Sequence, residues 1–319
     1  MFQRRVAGLT GPLIVLCLAA CASASPPAAP PVARFWIQGD TQSMARPYGA
    51  SRFERWIDQN EWVCAQKDAK SVKGVLHTGD IVQYQGAPEQ WDHAHQAFAV
   101  LDGCGLGYIT PAGNHDYLTQ GDEKHPPRWS AYDAFMAKRD VTRPSTTSRV
   151  ATHPDRRVWI ESLWDAYYVV ALPYKATDRE ETWAIAAAQQ VSHPKGPKFI
   201  LLQHFSAARN GIGNPRTQRF IRRFEANPGL DMVAVIGGHV RGLPRTAYKV
   251  WNAGRPRAAK PLLSVYSNFQ DQEDGYVGGV FDRWGTWLEI HADTGELCVW
   301  SESVTGERDI FGGRVCWTP

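Results

Sequence analysis

The chain has 319 residues, 43% of them hydrophobic, with 13 tryptophans. That is enough to bury one large α/β core, and it excludes a small disulfide scaffold or a low-complexity chain. The formal charge of +3 includes Arg4 and Arg5 at the very start; without them acidic and basic residues almost balance, so nothing in the charge points to nucleic acid.

In chain order, Arg4 and Arg5 precede Val6–Ala20, a mainly apolar run too short to span a bilayer comfortably. It ends in Leu18-Ala-Ala-Cys21, which resembles the cleavage box of bacterial lipoproteins, where the Cys becomes the lipidated first residue. The resemblance implies a signal peptide over residues 1–20 and a lipid anchor at Cys21. An ordinary secretory cut after Ala22 or Ala24 is the alternative. Apart from Val32, residues 22–33 are Ala, Ser and Pro only. With Cys21 they read as an extended tether of up to ~35–40 Å. Residues 34–319 then form one domain, with no internal repeat and no later stretch apolar enough to cross a membrane.

Within that domain, the apolar run Arg34–Ile37 predicts a buried strand that delivers Gly39, Asp40 and Gln42. Phe53, Trp56, Ile57, Asn60 and Val63 follow helical spacing, with Ser51 as the expected cap. A second strand from Gly74 ends in Gly79 and Asp80. A second helix carries Trp91, Ala94, His95, Phe98 and Leu101, with His95 read as a packed side chain. Tyr108 and Ile109 form a third strand, broken at Pro111 and Gly113, and Asn114, His115 and Asp116 follow at once. A third helix is marked by Tyr132, Phe135 and Met136. Arg157–Leu163 and Ala166–Leu172 read as paired strands, and Trp183–Val191 as a fourth helix. Strand Phe199–Gln203 delivers His204. Arg216, Arg219, Arg222 and Arg223 fall on a helix as a solvated face. Strand Met232–Ile236 delivers Gly238 and His239. The remainder is β-rich: Leu262–Tyr266, Thr286–His291 and Leu297–Ser301, with Asp293-Thr-Gly295 as a turn.

Singly, these strand-end residues have ordinary structural readings. Asp80 suits a helix cap, Asn114 tolerates a left-handed turn, and His204 suits a satisfied core histidine. Together they are carboxylate, carboxamide and imidazole, the donors that hard and borderline divalent cations take, and they recur at five strand ends. The order Asp-x-Gln, Gly-Asp, Gly-Asn-His-Asp, His, Gly-His over this span resembles the calcineurin-like metallophosphoesterases. The resemblance implies a four-layer α/β/β/α sandwich of two mixed sheets flanked by helices. It implies two divalent cations (Mn, Fe or Zn) bridged by Asp80, with Asp40 and Gln42 on the first and Asn114, His204 and His239 on the second. His115 is then the proton donor to the leaving group, and Asp116 orients or polarises it. The expected reaction is hydrolysis of a phosphate mono- or diester by metal-activated water.

Two positions depart from the family pattern. Gln42 stands where most members have His, and a carboxamide oxygen still ligates. Arg241 stands where His usually completes the first metal, and a guanidinium cannot ligate; it can instead grip phosphate through paired hydrogen bonds. The alternative is therefore a catalytically weak metal- or phosphate-binding lipoprotein of the same fold. Asn268-Phe-Gln270 resembles a segment of the Gln-type branch, which makes Gln270 a pocket candidate. His77, His93, His125, His153, His193 and His291 match no motif. The expected partners are a phosphate-ester substrate and, through Cys21, the membrane of a bacterial cell envelope, on its periplasmic or outer-membrane face. A monomer that binds no nucleic acid is expected. Export permits disulfides; of three possible pairings of Cys64, Cys104, Cys298 and Cys316, neighbours in the chain are preferred.

Overall fold

Strand sequences with apolar residues on both faces must be covered on both sides, and two sheets stacked between helices do this here. The computed structural model describes residues 32–46, 50–118, 128–142, 148–207, 210, 213–240, 246–251, 261–269, 283–307 and 313–319. The first sheet contains β1 (Val32–Gln38), β2 (Val72–His77), β3 (Gly107–Ile109), β11 (Trp284–His291), β12 (Leu297–Ser303) and β13 (Val315–Trp317), in the order β13-β12-β11-β1-β2-β3. The second contains β4 (Ser148–Thr152), β5 (Trp159–Trp164), β6 (Tyr167–Leu172), β7 (Lys198–Gln203), β8 (Asp231–Gly237), β9 (Thr246–Trp251) and β10 (Leu262–Ser267), in the order β4-β5-β6-β7-β8-β10-β9. Helices α1 (Ala50–Ala65), α2 (Pro88–Gly103), α3 (Ser130–Thr142), α4 (Asp178–Ala188) and α5 (Pro215–Glu225) complete the α/β/β/α sandwich.

Alternation along the central strands divides the core. In β7, Ile200 and Leu202 join the cluster between the sheets, while Phe199 and Leu201 pack with Ile185, Phe220 and Phe224 of α4 and α5. β6 behaves likewise, with Val169 and Ala171 inward and Val170 and Leu172 toward the helices. This is the period-two geometry of a pleated strand. β1, β2 and β3 are mutually parallel, as are β6, β7, β8 and β10. Their carboxyl ends gather on one edge of the sandwich, the place where open α/β sheets bind ligands.

β1 starts at Val32: Val32 and Ala33 pair with His291 and Ile290 of β11, and Ala33 is fully buried. Helix α1 starts at Ala50, one residue before Ser51, and the Ser51 side chain lies outside what is described. Strands β4, β9 and β13 were not expected. Disulfides join Cys64 to Cys104, tying the end of α1 to the end of α2, and Cys298 to Cys316, opposite each other on β12 and β13. Among the described residues no helix is long and apolar enough to cross a membrane. Cys21 lies outside the described residues, as do Arg241 and Gln270.

Candidate metal centre

His204 follows β7 and is completely buried. Its Nδ1 lies 3.0 Å from the Thr78 carbonyl oxygen. A carbonyl only accepts, so Nδ1 carries the proton and Nε2 is left as the ligating nitrogen. Around Nε2 stand Oδ2 of Asp80 at 3.0 Å, Oδ1 of Asn114 at 3.1 Å and Nδ1 of His239 at 3.0 Å. Four acceptor-rich atoms this close repel one another unless a cation or proton lies among them. Separations near 3 Å are those of donors sharing one ion with bonds of about 2.0–2.2 Å. The donor set therefore fits a divalent cation. The ligand atoms of Asp80, His204 and His239 all fall within 4.8 Å of one another.

The backbone is bent to make this arrangement. Asp80 and His239 both sit at positive φ, 53° and 74°, a conformation that non-glycine residues adopt at a cost and that clusters at functional sites. Gly113 lets the Asn114 loop close over Asp80; a Cβ there would stand 2.2 Å from Oδ1 of Asp80. Gly238 does the same beside Asp40, where a Cβ would lie 2.3 Å from Oδ1.

Asp40 stands behind His204, with Oδ1 3.6 Å from its Nδ1. Thr78 Oγ1 donates to its Oδ1 at 3.0 Å, Asn268 Nδ2 to its Oδ2 at 2.8 Å, and the His239 backbone N–H to Oδ2 at 3.1 Å. Gln42 is buried in the turn after β1. The charges act on one another strongly. Burial lifts Asp40 to about 7 against the pull of His204. Burial also opposes ionisation of Asp80, but the His204 charge and hydrogen bond outweigh it and hold Asp80 below the usual carboxylate range. Burial depresses His204, yet Asp80 and Asp40 together push it up to about 9. A positive charge is thus wanted at this point.

His115 and Asp116 are arranged differently from expectation. Both carboxylate oxygens of Asp116 accept backbone N–H groups: Oδ1 from Ile81 at 2.8 Å and Val82 at 3.1 Å, Oδ2 from Gly113 at 2.8 Å. It clips the β2 and β3 loops together and does not polarise the His115 ring. Burial, then the Asp80 charge, push its pKa well above the ordinary carboxylate value. The His115 ring is held instead by the Gln83 carbonyl oxygen, which lies 2.9 Å from Nδ1; Gln83 Nε2, itself a donor, stands 3.0 Å from the same nitrogen and adds no bond to it in that tautomer. Bonding to that carbonyl fixes a proton on Nδ1 and turns Nε2 away from Gln83. The His115 backbone N–H donates to Oδ1 of Asp80 at 2.8 Å.

Several contributors match no sequence motif. His77 lies under the site, bonded to Thr41 Oγ1 at 3.0 Å, and burial lowers it to about 3, so it stays neutral. Tyr174 places its ring 4.9 Å from that of His239. Thr78 and Asn268 are buried beside Asp40. Among the described residues, two further groups of metal-competent side chains, Glu289/His291/Cys298 and Glu296/Cys298/Cys316, both depend on Cys298, which is disulfide-bonded.

A model of the calcineurin-like phosphoesterase family matches residues 33–240, a span that contains Asp40, Asp80, Asn114, His204 and His239. The chain belongs to the calcineurin-like phosphoesterase family. The chain is 26% identical over 258 residues to "Uncharacterized protein YvnB" of Bacillus subtilis (strain 168), a match covering 80% of this chain and 18% of the relative. The chain therefore spans less than a fifth of that relative's length. Among solved structures, the purple acid phosphatase PPD1 of yellow lupin seeds aligns with a TM-score of 0.57 at 12% identity, over 89% of this chain and 53% of that one. GAP50, the anchor in the inner membrane complex of Plasmodium, aligns with a TM-score of 0.50 at 10% identity, over 90% and 89%. At these identities the likeness is one of fold.

Proposed function

We propose that this calcineurin-like phosphoesterase is a metal-dependent phosphoric ester hydrolase whose centre is built on Asp80, Asn114, His204 and His239. The convergence of those four donors around Nε2 of His204, with its Nδ1 committed to Thr78, carries the reading. Divalent cations at such a centre supply Lewis-acid activation of the phosphoryl group and of water. His115 presents Nε2 to the leaving oxygen as the proton donor, with its ring oriented by the Gln83 carbonyl. Asp116 positions His115 indirectly, by fixing the loop that carries it. Asp40, Gln42 and the shared Asp80 would serve the first cation, and Arg241 takes the place of an imidazole there and meets the substrate phosphate. Because Asp40 is already bonded by Thr78, His239 and Asn268, that first cation is the weaker one.

We further propose that Cys21 is lipidated and that the domain works at the bacterial cell envelope. The support is the Leu18-Ala-Ala-Cys21 box and the Ala/Pro-rich stretch after it. Replacement of Cys21 by Ser is expected to leave the leader uncut or to release the protein from the membrane fraction. Processing with continued membrane partition contradicts the anchor. The catalytic reading is tested on purified protein loaded with Mn²⁺, Fe²⁺ or Zn²⁺ and offered an aryl phosphate. Turnover abolished by chelation is expected. A protein that binds the metal and phosphate and turns over nothing is the binding form that Arg241 allows.

A further inference from the structure

A cavity of about 520 Å³ opens beside the centre. Its wall begins with Tyr117 and Leu118, immediately after Asn114-His115-Asp116, and is closed by the 153–157 turn and by the segment leading into α4. Tyr174 is the divider. Its ring lies 4.9 Å from that of His239 and 5.8 Å from that of His204, and the Lys175 ammonium stands 5.5 Å from the same ring. The volume suits a small organic group.

The wall is rigid and its chemistry is mixed. Tyr117 stacks on Trp129 at 3.8 Å and 9°. The Arg157 guanidinium lies 4.2 Å from the Trp129 ring and must occupy the opposite face. Both faces of the indole are thus covered, so it is a fixed wall and not a stacking platform for a base. Asp133 pins Arg157 in place, accepting from Nη2 at 2.8 Å and Nε at 3.3 Å. Of the carboxylates in the lining, Glu180 is committed to the helix cap, its Oε2 accepting from Thr177 N at 2.6 Å and Oγ1 at 2.8 Å. Asp155 lies 3.5 Å from His153 Nδ1 and is mostly exposed. Glu180 is thus occupied locally, while Lys175 and Arg179, both exposed, line the cavity with Arg157.

We propose that this cavity receives the organic part of the substrate, that this part carries a second negative charge, and that Lys175 and Arg179 recognise it. The proposal rests on the phosphoesterase reading of the adjoining centre. The substrate class is a phosphate ester of a small organic acid, or one bearing a second phosphate, and not the ester of a neutral alcohol.

The test uses two non-hydrolysable probes on the metal-loaded full domain, followed by calorimetry: benzyl phosphonate and para-carboxybenzyl phosphonate. The wild type is expected to bind the carboxylated probe about tenfold more tightly, the effect of one charge-assisted hydrogen bond. Lys175→Ala and Arg179→Ala should each reduce that preference and the double variant abolish it. Lys175→Arg should retain most of it, and affinity for inorganic phosphate should stay unchanged throughout. Equal binding of both probes by the wild type overturns the proposal and leaves the phosphoesterase reading standing. A preference that survives the double variant overturns the assignment to these two residues. Absence of inorganic phosphate binding by the wild type overturns the phosphoesterase reading and this proposal with it.

Discussion

Nε2 of His204 lies 3.0 Å from Oδ2 of Asp80, both side chains being buried. The pair explains why the centre wants a cation. With His204 raised to about 9, a proton takes the cation's place in metal-free protein at neutral pH, and a metal must displace it. Metal affinity is therefore expected to climb about tenfold per pH unit below 9 and to level off above it. The stability consequence has a definite sign. His204 and Asp40 both have raised folded values, about 9 and about 7. Each contributes stability to the metal-free protein that is present at low pH and lost as pH rises through those values. The Tm of metal-free protein should fall from about pH 4 to about 9, first through Asp40 and then through His204, while that of metal-loaded protein should not. Parallel Tm curves with and without metal would exclude this coupling.

His115 and Gln83 make unequal contributions. Loss of a general acid usually costs ~10²–10⁴-fold, so His115→Ala should slow alkyl phosphate hydrolysis by that order and aryl phosphates by less, with metal binding near normal. Gln83→Ala removes only the side-chain contact, because the carbonyl that accepts from Nδ1 belongs to the backbone. Its effect should be about tenfold or smaller. Equal losses in the two variants on an alkyl phosphate would refute the division of labour.

Asp116 is a structural clip, and its substitution should be felt first in stability. Asp116→Ala leaves three backbone N–H groups unsatisfied, at about 1–3 kcal/mol each for buried donors. Asp116→Asn keeps the shape but points an amide N–H at one of these donors, so it should also destabilise. Urea denaturation reads both. A variant of unchanged midpoint that loses activity only would return Asp116 to a direct role on His115.

The disulfides should differ in weight. Cys64–Cys104 spans 40 residues and Cys298–Cys316 spans 18. Loop entropy gives about 3–4 kcal/mol for each, the longer loop contributing more. Cys64→Ser with Cys104→Ser should lower the Tm more than the corresponding pair at 298 and 316. The reverse order, measured by calorimetry on the oxidised protein, would show that strand pairing and not chain entropy dominates.

What could be read from the sequence, and what could not, divides along physical lines. An apolar run that breaks, in most cases at glycine, before a carboxylate, carboxamide or imidazole announces itself, because pattern, break and polar residue are all local. The strand ends that carry Asp40, Asp80, Asn114, His204 and His239 were legible for that reason. Two of the three partners of Asp116 were not, since they are backbone N–H groups 34 and 35 residues away and no residue type marks them. Thr78 and Asn268 hold Asp40 from other strands and look like ordinary strand-end residues. Gln83 acts partly through its carbonyl, which any residue possesses. Edge strand β4 has no buried face to impose a pattern: Ser148, Val150 and Thr152 are exposed, with Arg149 and Ala151 half-buried. β13 is only three residues long.

Isothermal titration of Mn²⁺ or Zn²⁺ into metal-free protein, with turnover of an aryl phosphate measured at each addition, tests the central claim most directly. The account predicts one tight site that is lost in His204→Ala and His239→Ala, a second, weaker site, and chelator-sensitive hydrolysis that rises with metal occupancy. Metal binding unaffected by either histidine substitution, or hydrolysis that is full before any metal is added, would contradict it.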